Sequence, residues 1–291
     1  MNWKKCEVKP DKEINLSKIK TYADLKKNDK NALKTALSQD TKEIAAFQYK
    51  LYAENRQSLL IILQGMDSAG KDGTIKHIIS GVNPQGVLVC SFKHPSAVEL
   101  EHDFLWRHAV KLPEHGQITI FNRSHYENVL ISRVHPEIVL AERLPGIDSI
   151  HKIKKDFWHI RYQKINDFEK NIVQSGTQVL KFFLHLSKDE QRNRFLERIE
   201  NKEKHWKFSS NDITERKFWK EYQHVYEQAL KHTSTKTAPW YIIPADDKLS
   251  AHLLIGRIIL EKMKKMNPSL PPVDKKEEEL MKKAKEDLKR Q

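Results

Sequence analysis

Ser58-Leu59-Leu60-Ile61-Ile62-Leu63-Gln64 runs directly into Gly65-Met66-Asp67-Ser68-Ala69-Gly70-Lys71-Asp72-Gly73. The first segment is an apolar run bounded by glycine, the pattern of a parallel strand buried on both faces. The second satisfies G-x-x-x-x-G-K after that strand and at the opening of a helix, the context in which the pattern carries a mechanism. Glycines let backbone N–H groups curl round a phosphate, the helix N-terminus adds its positive end, and the lysine reaches a terminal phosphoryl oxygen. Gly65, Ser68, Ala69, Gly70, Lys71, Asp72 and Gly73 are therefore the expected phosphate cradle. A tight turn carrying an exposed lysine is the competing meaning of the same letters.

Outward from this loop, hydrophobic periodicity predicts a helix over 71–80, a strand over 86–92, a helix over 98–112 and a strand over 117–121. Helical stretches over about 150–174 precede a strand over 177–186, a short strand over 239–243 and a helix over 249–265. Upstream, Ile44, Phe47 and Leu51 are spaced for a helix over 43–52, preceded by an extended arm. Strands alternating with helices imply an α/β fold in three layers, a mostly parallel five-stranded sheet with helices on both faces. Between the last two strands, Arg192, Arg194, Arg198, Lys202, Lys204 and Lys207 crowd a segment that reads as a basic helical hairpin, a lid over about 187–232. The expected division is an arm and helix over 1–56, a catalytic body over 57–268 that includes the lid, and a charged tail over 269–291.

The 291 residues include 52 Lys and Arg against 39 Asp and Glu, a net charge of +13 that draws in polyanions. Cys6 and Cys90 stand alone, without C-x-x-C spacing, which argues against a disulfide scaffold or a zinc site and fits a reducing cytoplasm. No run approaches the ~18 apolar residues that suggest a membrane span. The basic surface lacks a recognisable nucleic-acid motif, so neither membrane nor nucleic acid is expected as a partner.

Position 72 departs from the common loop, with Asp72 where a Ser or Thr hydroxyl would touch magnesium. Asp67 is a second carboxylate in the loop, and beside bound phosphate it would be repelled by a few kcal/mol at an effective dielectric of ~20. A bridging Mg²⁺ removes that conflict, so Asp67, with Asp72 beside it, is the expected metal ligand, against a helix N-cap as the alternative for Asp67. The third strand ends in Asn122-Arg123, at the edge where parallel strands present ligands. Arg123 suits the transferring phosphoryl group because its planar fork donates two parallel hydrogen bonds; a salt bridge to Asp67 or Glu127 is its structural rival. Arg133 is expected on the acceptor phosphate, and Glu137 near ribose, base or hydrated metal.

GMDSAGKDG at 65–73, FNRSHYENVL at 121–130 and RVHPE at 133–137 together resemble the polyphosphate kinase 2 family over about residues 15–268. The resemblance implies transfer of the terminal phosphoryl group of inorganic polyphosphate to AMP or ADP, giving ADP or ATP, reversibly and with Mg²⁺, Mn²⁺ being a substitute. Asn122 before Arg123 looks like the branch that serves both acceptors, while Asn128 stands where many relatives have Asp. Lys71, Arg123, Asp67 and Arg133 are then the catalytic set. Asn122, Glu127 and Glu137 join the phosphate and nucleotide site, Arg192, Arg194 and Arg198 hold polyphosphate, and a homo-oligomer, dimer or tetramer, is implied. The rival functions are an ATP-dependent nucleoside or nucleotide kinase and a non-catalytic polyanion-binding protein.

Overall fold

The structure, a computed structural model, describes residues 3–23 and 30–291. Its sheet has five parallel strands, β1 (Ser58–Gly65), β2 (Val87–Ser91), β3 (Ile118–Asn122), β4 (Thr177–His185) and β5 (Trp240–Pro244), in the order β2-β3-β1-β4-β5. Every residue of β1 is buried because both sheet faces are covered. Leu60 and Ile62 pack into one core with Tyr162, Ile165 and Tyr226, whereas Leu59, Ile61 and Leu63 pack into the other with Ile75, Ile255 and Ile258. The unbroken apolar run thus serves two cores by the ordinary alternation of a strand.

The helices that cover the second core are α1 (Lys30–Glu54), α2 (Lys71–Ile78) and α11 (Lys248–Met266); the first lies under α7 (Lys155–Gln174) and α10 (Trp219–Thr233). α1 reaches well beyond the span expected from periodicity. Its polar first half is held by α11, where Arg257 pairs with the buried Asp40 at 3.0 Å. Residues 24–29, part of the expected arm, lie outside the described residues. The arm before them runs along β5, with Val8 N–H donating to the Trp240 carbonyl.

The single helix expected over 98–112 is two short ones, α3 (Ala97–Leu100) and α4 (Trp106–Ala109). Asp103 separates them by accepting from the Leu105 amide at 2.8 Å, the local bond that lets a short polar side chain compete with helix continuation. Short helices α5 (Ile131–Val134) and α6 (Glu137–Leu140) follow β3. The expected lid hairpin contains α8 (Lys188–Glu200) and α9 (Ser210–Glu215) before α10, so it is a three-helix segment. The tail forms α12 (Lys275–Arg290), exposed along its whole length. Among the described residues no helix is long and apolar enough to cross a membrane.

Candidate active site

Registers Leu63↔Asn122 and Gly65↔Leu184 bring the ends of β1, β3 and β4 to one edge. At Gly65 the loop backbone lies so close to β4 that a Cβ would stand 3.0 Å from the Ala69 Cβ and 3.1 Å from the Leu184 carbonyl oxygen. Ser68, at φ 62°, and Gly70, at φ 102°, both take the left-handed conformation that curls the loop; for Ser68 this is local strain of the kind found at functional sites. Gly70 occupies the α2 N-cap, so Asp67 is free of the capping role. Lys71 Nζ donates to the carbonyls of Gly65, at 2.7 Å, and Met66, at 3.3 Å. Burial, then the neighbouring Arg123, depress its pKa, with Asp67 and Glu127 opposing.

Arg123 follows β3 in the left-handed region, at φ 61°, with its amide held by the Leu63 carbonyl. That backbone turn sends its Nη2 to Asp67 Oδ1 at 3.0 Å. Burial opposes the guanidinium charge, but Glu127 and Asp67 outweigh it and raise the pKa. Glu127 itself is pushed up by desolvation, which Arg123 and Lys71 only partly offset. Asn122 Nδ2 donates to Asp72 Oδ1 at 3.0 Å, and Lys207, between α8 and α9, reaches the other Asp72 oxygen at 3.0 Å. Desolvation works against the Asp72 carboxylate, yet the bonds from Lys207 and Asn122 hold its pKa below the ordinary value.

Gln191, Arg194 and Arg198 fall at i, i+3 and i+7 on α8 and face the loop. Gln191 Nε2 donates to the Asp67 carbonyl at 3.0 Å, and Arg198 Nη2 to Ser68 Oγ at 2.7 Å. Arg198 is also paired with Asp212 of α9 at 3.0 Å, a carboxylate whose pKa is raised by desolvation and by Asp67. Arg194 departs from the expected polyphosphate role. Its Nε donates to Glu190, its Nη1 to the carbonyls of Ser68 and Ala69, and its Nη2 to those of Ala245 and Asp246. A guanidinium has five N–H groups, and these acceptors engage them all, so Arg194 buttresses the loop from behind. Arg192 lies off this stripe, largely exposed, with Asp189 at 3.7 Å.

Arg133 faces α7, donating to the Tyr162 hydroxyl at 2.8 Å and lying over the Trp158 ring. Glu137 is mostly exposed beside His135, whose Nε2 meets Glu215 of α9 at 2.9 Å. Gly73 has room for a Cβ, which would meet only the His252 ring at 3.7 Å.

Behind the β3 turn lies a network that periodicity did not reveal. Lys181, in the middle of β4, donates to Glu169 at 2.6 Å, to the Tyr126 hydroxyl at 2.9 Å and to the Thr233 carbonyl at 2.6 Å. Glu169 also accepts from Tyr126 at 2.8 Å and lies 3.4 Å from His125, all four side chains being buried. It anchors the turn that carries Arg123 and Glu127. Among the described residues no three His, Cys, Asp or Glu side chains gather into a ready-made metal site. Asp67 and Asp72 provide hard oxygen donors at the loop, which suits a cation completed by phosphate oxygens and water.

A family model described as polyphosphate kinase 2 (PPK2) matches residues 27–271. The chain is 47% identical to the ADP-polyphosphate phosphotransferase of Rhodopseudomonas palustris, over 92% of each chain. It is 39% identical to the AMP/ADP-polyphosphate phosphotransferase of Meiothermus ruber, over 96% of this chain and 99% of that one. Among solved structures, polyphosphate kinase 2 from Arthrobacter aurescens TC1 superposes with a TM-score of 0.81 at 33% identity, covering 92% of this chain and 94% of that one.

Proposed function

Because this chain belongs to the polyphosphate kinase 2 family, we propose that it moves the terminal phosphoryl group of inorganic polyphosphate onto AMP and ADP. The carrying observation is the convergence of Lys71, Arg123 and Asp67 at one sheet edge, with Arg198 of the lid reaching the same loop at Ser68. An oxygen of the acceptor's terminal phosphate attacks the terminal phosphorus of the donor, the bridging P–O bond breaks, and the donor leaves one phosphate shorter. No covalent nucleophile is required of the protein, whose task is position and charge. Lys71 and Arg123 neutralise the oxygens of the group in flight, the loop amides hold its neighbours, and lid closure keeps water out. The related proteins do not favour an ATP-dependent kinase or a non-catalytic binding protein.

A divalent ion belongs to this reading, Mg²⁺ by preference with Mn²⁺ in its place, and Asp67 with Asp72 would hold it. Bound there it would offset the negative charge of the phosphates. One or two carboxylates plus substrate phosphates is the usual Mg²⁺ arrangement, and it matches the donors present. In the same reading Arg133 and Glu137 act on the acceptor side, Arg192 acts on the donor, and the enzyme works in the cytoplasm as a homo-oligomer.

Service to both acceptors is supported by Asn122, a neutral residue that ties the β3 end to Asp72. The test is product formation with AMP and with ADP offered separately, polyphosphate in excess, after chelation and stepwise return of Mg²⁺ or Mn²⁺. Products from both acceptors, appearing only on metal return, meet the proposal; turnover of one acceptor alone, or turnover without metal, contradicts it.

A further inference from the structure

Positive charge at the lid base extends past the residues that touch the phosphate loop. A cleft of about 560 Å³ opens between residues 15–22 of the arm, the end of β4 and the first turns of α10. Lys188 and Lys220 line it, and among the described residues neither is tied to a carboxylate. Glu227, the one carboxylate in its wall among the described residues, accepts from the Leu16 amide at 2.8 Å and is committed to holding the arm. Gln223, in the same wall, has an amide nitrogen with no partner among the described residues.

The cleft is wired to the active site. Arg216 Nη1 donates to the Lys188 carbonyl at 2.7 Å and to Gln191 Oε1 at 2.8 Å, and Gln191 Nε2 donates to the Asp67 carbonyl at 3.0 Å. Arg192 stands close enough to Arg216 to lower its pKa, second only to burial as a cause. Cations therefore continue from Arg198 on the loop through Arg216 and Arg192 to Lys188 and Lys220. Their chemistry changes along the way. Guanidinium forks at the loop impose geometry, whereas ammonium groups in the cleft are point charges on flexible stems with no directional demand. Such a gradient fits an unbranched polyanion that must be fixed at its reacting end and free to advance elsewhere.

Resting on the reading that polyphosphate is the donor, we propose that the cleft between the arm and the lid base is a second subsite for that donor. It holds the trailing phosphates of a long chain whose terminal phosphate is on the loop. A donor of only three phosphates engages the loop and leaves the cleft empty.

The experiment is a binding titration of the full chain with long-chain polyphosphate and, separately, with tripolyphosphate, without nucleotide. The variants are K188E/K220E, the milder K188Q/K220Q, and a control on the distant tail helix, K283E/K289E. Charge reversal in the cleft should weaken long-chain binding about tenfold or more while tripolyphosphate affinity stays within about twofold; the neutral pair should give a smaller loss of the same kind. The tail control should leave both affinities alone. Unchanged long-chain binding, an equal loss for both ligands, or an equal loss in the tail control would overturn the subsite. Turnover with tripolyphosphate reports on the donor reading separately, because the binding ratio reads the cleft with or without catalysis.

Discussion

Arg123 and Asp67, held by different strands, meet at 3.0 Å because Arg123 adopts a left-handed backbone conformation just past β3. The contact joins the cation expected on the phosphoryl group to the carboxylate expected on the metal. Arg123→Lys keeps the charge but loses the planar fork, so turnover should fall by about 10²-fold with little change in melting temperature. Asp67→Asn should lower turnover similarly and raise the metal concentration needed for half-maximal rate. Full activity in Arg123→Lys would reduce the pair to a surface salt bridge.

Arg194 and Arg198 sit one helical turn apart and should respond to substitution in opposite ways. Arg194→Met leaves the carbonyls of Ser68, Ala69, Ala245 and Asp246 short of donors at about 1–3 kcal/mol for each that stays buried, so thermal stability should drop by several degrees. Arg198→Met should cost little stability and mainly lower turnover. Thermal melts and initial rates on both variants check this, and equal melting temperatures would contradict the buttress role.

Much of the fold was legible because its signals are local. The run Leu59–Leu63 supplies both cores by alternation, and Gly65 and Gly70 punctuate the loop. The lid was harder. Gln191, Arg194 and Arg198 share one face of α8 whereas Arg192 does not, a distinction the i, i+3, i+7 spacing already contains but a count of basic residues hides. The break at Asp103 depends on one side-chain bond that periodicity does not weigh. Lys181 was visible as a charge inside an apolar strand, yet nothing local names its partner, because Glu169 comes from the preceding helix and Tyr126 from the turn after β3.

Lys181→Met strands Glu169 as a buried charge and should cost about 3–5 kcal/mol. Lys181→Met/Glu169→Leu should recover much of that loss, since replacing both partners with apolar groups removes the desolvation problem. In the single variant Glu169, whose pKa Lys181 now helps to hold down, would rise above its unfolded value. Its penalty should therefore grow as pH rises through that window, making the deficit larger at pH 8 than at pH 5. Denaturant melts at the two pH values check the sign; a pH-independent deficit contradicts it.

His252 is buried against α2, its ring 4.1 Å from that of His77, and burial with the His77 charge lowers its pKa to about 4. A histidine whose folded pKa is depressed adds no penalty above the unfolded value of ~6.5 and costs stability as pH falls towards the folded value, in total roughly 3 kcal/mol. Replacing it by glutamine should flatten the loss of stability between neutral and acidic pH. An unchanged pH slope would mean that the group does not titrate in this way.

The central claim is that polyphosphate is the donor and that the loop lysine serves the transfer. Its most direct test is a time course with AMP, Mg²⁺ and long-chain polyphosphate as the sole source of phosphoryl groups, with Lys71→Ala in parallel. ADP should appear first and ATP after it, with rates in the variant lower by about 10²-fold, the equivalent of about 3 kcal/mol of transition-state stabilisation. No product from the intact protein, or a variant within about threefold of it, would contradict the account.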